Sequence, residues 1–140
     1  MPFPWFGPPT ALERVPYIDF APLENAVDRL KRIARDYDEA FAKNAAGLPP
    51  ERAAKLQALM QTIDQTLAPD TGLPGRPWYR NLLYAPGRLT GYGAKTLPGV
   101  REAIEEQRWA DADQYAKLTA VALDAYSERL NQARAVLEGR

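Results

Sequence analysis

The run Gly72-Leu-Pro-Gly-Arg-Pro-Trp-Tyr-Arg-Asn-Leu-Leu-Tyr-Ala-Pro-Gly-Arg-Leu-Thr-Gly-Tyr-Gly-Ala-Lys-Thr-Leu-Pro-Gly99 constrains this chain more than any other feature. Proline and glycine recur through it too often for any regular element. It nevertheless holds four aromatics (Trp78, Tyr79, Tyr84, Tyr92) and four cations (Arg76, Arg80, Arg88, Lys95), with no acid among them. Connections longer than about 12–15 residues are uncommon in compact domains and are usually functional or disordered. Disordered segments are poor in aromatics. This one is therefore expected to be ordered, and it is where function is to be sought.

The segments around it read as helices. Pro22 suits the first turn of a helix, and Leu23, Ala26, Val27, Leu30, Ile33, Ala34, Tyr37, Ala40 and Phe41 then follow with helical spacing. Gly47, Pro49 and Pro50 end that stretch. A second helix is expected from about Pro50, with Ala53, Leu56, Leu59, Met60, Ile63 and Leu67 inward. Pro98-Gly99 opens a short helix carrying Val100, Ala103 and Ile104. A last helix is expected from Asp111, an N-cap residue type, to Glu138, with Gly139 as its stop. Its inward set is Tyr115, Leu118, Val121, Ala122, Ala125, Tyr126, Leu130, Ala133 and Leu137. The fold class is thus all-α: an antiparallel helical bundle of three long helices and one short helix, with a long ordered loop between the second and third. Asn81-Leu-Leu-Tyr84 is the one stretch that could be briefly extended.

Apolar residues wrap around more than one face of the last helix, at Val121, Ala122 and Leu123 and again at Ala125 and Tyr126. Either that helix is central and touched on several sides, or one face is left for another chain. Before the first helix, residues 1–15 form an extended lead-in with Pro2, Pro4, Pro8 and Pro9. Trp5, Phe6, Tyr17, Ile18 and Phe20 suggest that part of the segment before Ala21 lies against a surface.

Composition narrows the chemistry. The 140 residues include neither cysteine nor histidine. That removes thiolate nucleophiles, His-based triads, imidazole acid–base work and His- or Cys-bearing zinc sites. An enzyme would have to rely on carboxylates, Lys, Tyr or Arg. The 18 cations balance 18 acids, so no overall field draws in nucleic acid. No run approaches the ~18 apolar residues of a membrane span, and the first residues lack the pattern of a signal peptide.

The string Gly72-Leu-Pro-x-Arg-Pro-Trp-Tyr-Arg80, followed by Tyr84-Ala-Pro86, Tyr92, Pro98-Gly99 and Ala103, resembles the C-terminal helical domain shared by glutamate carboxypeptidase II-like zinc peptidases and transferrin receptors. This is the transferrin receptor-like dimerisation domain, and the resemblance covers about residues 16–138, within a domain assigned to 16–140. It implies a homodimerising module with no catalytic residues of its own. Zinc and the catalytic carboxylate would belong to a separate peptidase domain, which would be its other partner. It also implies that the 68–99 loop helps close a substrate pocket in the intact protein. There a Lys-Tyr pair on the loop grips a C-terminal glutamate. The tyrosine corresponds to Tyr92, the lysine position is Gly91, and Arg88 and Lys95 are the nearby cations.

Other roles are open for these residues. Trp78, Tyr79 and Tyr84 can pin the loop to the bundle as a satellite core. Arg76 and Arg88 can cap carbonyls or form exposed ion pairs, and Arg80, between aromatics, can be a buried anchor. Glu105-Glu106 and Asp111/Asp113 read as helix surface and a first turn. The alternative to a peptidase-associated domain is a free-standing interaction module that binds a peptide or anionic ligand through the same loop. A third reading, an enzyme using Tyr92 with Lys95 and Arg88, ranks behind both.

Overall fold

The computed structural model describes residues 7–89 and 91–140. It is mostly helical. Helix α1 spans Ala21–Asn44 and runs through a 3-10 turn, Ala45–Gly47, into α2, Pro50–Gln61. A second 3-10 turn, Ile63–Leu67, leads into the loop, which contains strands β1, Tyr84–Pro86, and β2, Ala94–Thr96. Helices α3, Pro98–Glu105, and α4, Trp109–Glu138, complete the chain.

Helix α4 is the spine, since α1, α2, α3 and the second 3-10 turn all pack on it. Helices α1 and α4 run in the same direction: Arg29 pairs with Asp124 at 2.7 Å, and Asp36, further along α1, pairs with Arg134 at 3.0 Å. Helix α2 runs the other way, with Thr62 at its end accepting a hydrogen bond from Arg129 at 2.9 Å. Ala26, Ala112, Ala116 and Ala133 are all at most 1% exposed. Small residues at such positions let α1 and α3 approach the spine closely.

Three elements differ from the sequence expectation. The second helix is only 12 residues long and ends at Gln61. There the Thr62 hydroxyl donates back to the Ala58 carbonyl at 3.2 Å. Such side-chain bonding competes with continuation of the helix. Ile63 and Leu67 are still buried, but in the tighter 3-10 turn, and Ala53 is exposed. Second, the chain is not purely α. Strands β1 and β2 pair antiparallel in the register Tyr84↔Thr96, Ala85↔Lys95, Pro86↔Ala94. Proline blocks a helix but is tolerated at the edge of a short ladder. Third, α4 begins at Trp109 rather than Asp111, and Asp111 pairs with the Arg108 guanidinium instead of capping the helix.

The end of α4 follows the expectation: Gly139 adopts φ 76°, and the Arg140 amide reaches back to the Ala135 carbonyl at 2.9 Å. This closes the helix as a left-handed glycine turn does. Val121 and Ala125, expected inward, are exposed, whereas Leu123 is buried. Residues 7–17 are exposed and carry no regular structure, while Ile18 and Phe20 are half-buried. Of the lead-in, Pro2, Pro4, Trp5 and Phe6 lie outside the described residues.

Candidate functional site

The loop between Leu67 and Pro98 is held from below by aliphatic side chains and one buried cation. Leu73, Leu82 and Ala85 are 2%, 1% and 4% exposed and join the main core. The Arg76 guanidinium is 5% exposed and donates to Glu102 Oε2 at 2.8 Å and to the Pro86 carbonyl. Glu102, on α3, accepts the Arg88 amide through its other oxygen at 2.8 Å. One carboxylate therefore joins two distant points of the loop to one helix. A buried charge held this way is very costly to leave alone.

Further ties are backbone bonds. The Tyr115 hydroxyl donates to the Gly72 carbonyl at 2.7 Å. Amides of Leu73, Leu82 and Leu97 donate to the carbonyls of Tyr79, Leu67 and Leu83 at 2.9, 2.9 and 2.7 Å. Gly72 has φ 65°, and a Cβ there would lie 2.3 Å from the Pro77 carbonyl oxygen, so only glycine fits. Leu97, the residue that hands the loop to α3, sits in the left-handed region at φ 47°. That conformation is uncommon for a non-glycine residue and persists where surrounding contacts fix it.

The aromatics do not serve as the satellite core that the sequence allowed. Trp78 is 73%, Tyr84 61% and Tyr92 fully exposed. The reason is register: Leu73, Leu82 and Ala85 occupy the inward positions, which leaves the rings on the outer side. Together with Tyr79, Arg80 and Asn81 they line an open cavity of about 370 Å³, completed by β1, Gly91, Gly93 and Ala94. The Trp78 and Tyr79 rings lie 6.4 Å apart and tilted, and the Arg76 guanidinium sits 5.2 Å from the Tyr79 ring centre on the inner side. Arg80 is not the buried anchor. It is exposed and pairs with Asp70 at 2.6 Å, while Arg76 takes the anchoring place four residues earlier.

The four residues singled out from the sequence take three placements. Tyr92 and Gly91 line the aromatic cavity, and Gly91 has φ 67° with open space beside it. Arg88 lines a neighbouring cavity with Gly75, Arg76 and Trp78, and its guanidinium donates to Glu106 at 3.3 Å. Lys95 lines neither and is paired with Glu105. The Lys95 hydrogen bond, helped by Arg101, holds the Glu105 carboxyl below its ordinary range. Arg80 and Asn81 were missed as cavity-lining groups. Their position directly after Trp78-Tyr79 was the available signal.

Glu105, Glu106, Asp111 and Asp113 are each engaged by a Lys or Arg on or beside the helices. Among the described residues no group of three or more carboxylates is placed to hold a metal ion. With His and Cys absent from the sequence, the residues present do not fit a zinc site. No helix of the described residues is long and apolar enough to cross a membrane.

The crossover thus presents an aromatic face on a helical scaffold. Residues 18–131 match the family model of the transferrin receptor-like dimerisation domain, and the chain belongs to that family. A probable glutamate carboxypeptidase of Arthroderma benhamiae is 28% identical over 106 residues, covering 75% of this chain and 15% of that protein. The probable glutamate carboxypeptidase LAMP1 of Arabidopsis thaliana is 33% identical over 57 residues, or 41% of this chain and 8% of that protein. The chain thus spans only a small part of the curated relatives it matches.

Proposed function

We propose that this chain is the non-catalytic, homodimerising domain of a glutamate carboxypeptidase-like zinc metallopeptidase. In this reading the 68–99 loop seats against a separate peptidase domain and helps close its substrate pocket. Zinc belongs to that other domain. The observation that carries the reading is the outward aromatic face: Trp78, Tyr84 and Tyr92 stand exposed on a loop whose underside is fixed to α3 and α4. Apolar rings held so firmly in water make sense where a second surface covers them. The family membership and the carboxypeptidase names of the relatives support which surface that is.

Tyr92, with glycines on both sides, is the side chain best placed to contact a bound substrate. Gly91 leaves the backbone free to approach it closely. Arg80 and Arg88 are the cations offered to a substrate carboxylate, since each lines one of the two cavities and Lys95 lines neither.

Two measurements test the reading. The purified chain, supplied with zinc, should not hydrolyse a dipeptide ending in glutamate; hydrolysis that survives repurification would overturn it. Residues 16–140 can also be grafted in place of the corresponding domain of a glutamate carboxypeptidase. Tyr92→Ala in that chimera should raise KM for the dipeptide with little change in the dimer. An unchanged KM would remove the loop from the pocket.

A further inference from the structure

Helix α1 carries an apolar seam that its own fold only half covers. Leu23, Val27, Leu30, Ala34, Tyr37 and Phe41 recur at alternating four- and three-residue steps, the 3.5-residue period of a helix that packs along a second helix. Leu23 is buried, the next four are half-buried, and Phe41 is 47% exposed. At the Leu23 end the seam opens into an apolar groove of about 540 Å³, where Leu23 and Val27 meet Leu83, Leu97 and Leu123. At its other end Tyr37 and Phe41 form a ring pair with centroids 6.1 Å apart. A hole and a knob thus lie at opposite ends of one helix.

The charges beside the seam have a matching order. Glu24, Asp28, Lys31 and Arg35 follow at the same four-three-four steps, so they form one edge of the same face. All four are exposed. Among the described residues Glu24 and Arg35 have no ion-pair partner, and Asp28 and Lys31 meet only each other, at 3.6 Å. The edge is acidic toward the N-terminus and basic toward the C-terminus.

Such an edge complements itself only when reversed. We infer that a second copy of this chain docks along α1 with its own α1 antiparallel, about a two-fold axis level with Leu30. This inference rests on the dimerising role proposed above and assigns the surface. The axis sets Glu24 opposite Arg35 and Asp28 opposite Lys31 of the second copy, each pair occurring twice. The same axis sets Leu23 opposite Tyr37 of the second copy, which brings the Tyr37–Phe41 rings to the open end of the groove. In a parallel arrangement about a two-fold axis the two charged edges would lie on opposite sides of the seam and would not meet.

Sedimentation equilibrium of the full chain over a concentration series tests this. Asp28→Lys should raise the dimer dissociation constant about tenfold, because it places two cations together at both symmetric contacts. Asp28→Lys with Lys31→Asp keeps each helix's own pair and restores the cross-copy pairs, so it should recover most of that loss. The chain has no cysteine, so Leu30→Cys supplies a lone thiol on the axis; mild oxidation should link two copies, while Val121→Cys on the exposed face of α4 should not.

A dimer that links through Val121→Cys but not Leu30→Cys, or a double variant no better than the single one, overturns the α1 seam and leaves the dimerising role standing. A wild-type chain that stays monomeric up to about 1 mM overturns both.

Discussion

The α1–α4 scaffold and the loop that crosses it are held by different physics. The scaffold rests on many small apolar contacts: Ala26, Ala133 and Leu137 are at most 1% exposed. The loop rests on a few specific ties, chiefly the Arg76–Glu102 pair, the Tyr115–Gly72 bond and the two leucines beneath it. Distributed burial tolerates local loss. A buried ion pair does not, since removing one member leaves the other charged in an apolar setting. A loop built this way can present a large exposed face and still be rigid, because its order comes from underneath.

The sharpest way to break the contrast is Glu102→Ala. It strips Arg76 of its counter-charge and frees the Arg88 amide, and should cost about 3–5 kcal/mol. Chemical denaturation should show the loss, with the loop far more open to proteolysis than α4. Replacing both partners with apolar residues of similar size should cost much less. Leu137→Ala probes the scaffold instead and should cost about 2–4 kcal/mol; proteolysis within the loop should stay at the wild-type rate below the transition. Tyr115→Phe removes only the donor to Gly72 and should cost about 1–2 kcal/mol. Arg80→Ala, which loses one exposed pair with Asp70, should change stability by less than about 0.5 kcal/mol.

The smallest effect concerns pH. Lys95 holds the Glu105 carboxyl below its ordinary range, so this contact supports β2 fully above the usual carboxylate range. It is lost as pH falls through the depressed value. The protection of the Lys95 amide, measured relative to its intrinsic exchange rate at each pH, should fall at acid pH before that of α3. Lys95→Met should abolish that dependence.

The comparison also shows what the sequence carried. The 3.6-residue spacing in Leu23–Phe41 and Tyr115–Leu137 was enough to place α1 and α4, because long elements repeat the same signal many times. The left-handed stop at Gly139 was equally legible from residue type. The second helix was misjudged in length because a single hydroxyl, Thr62, outweighs the apolar spacing that runs on to Leu67. In the loop, inside and outside were exchanged. Aromatics are the usual anchors of a long loop, and nothing local marks that Leu73 and Leu82 take the inner positions instead. Nor does sequence reveal that Arg76 rather than Arg80 meets Glu102, since that pairing spans 26 residues and depends on where α3 lands. The residues around the candidate pocket divide the same way: Tyr92 and Gly91 stood out through the family resemblance and the glycines beside Tyr92, whereas Arg80 and Asn81 join them only through the fold.

The account depends on the crossover being a fixed part of the fold. Native-state hydrogen exchange on the full chain tests this directly, by following the amides of Leu73, Leu82 and Leu97. Each donates to a loop or 3-10 carbonyl at 2.7–2.9 Å. They should be protected to the same degree as amides in α3, and Glu102→Ala should lower that protection while sparing α4. Exchange at the rate of an unstructured peptide in the unaltered chain would contradict the account.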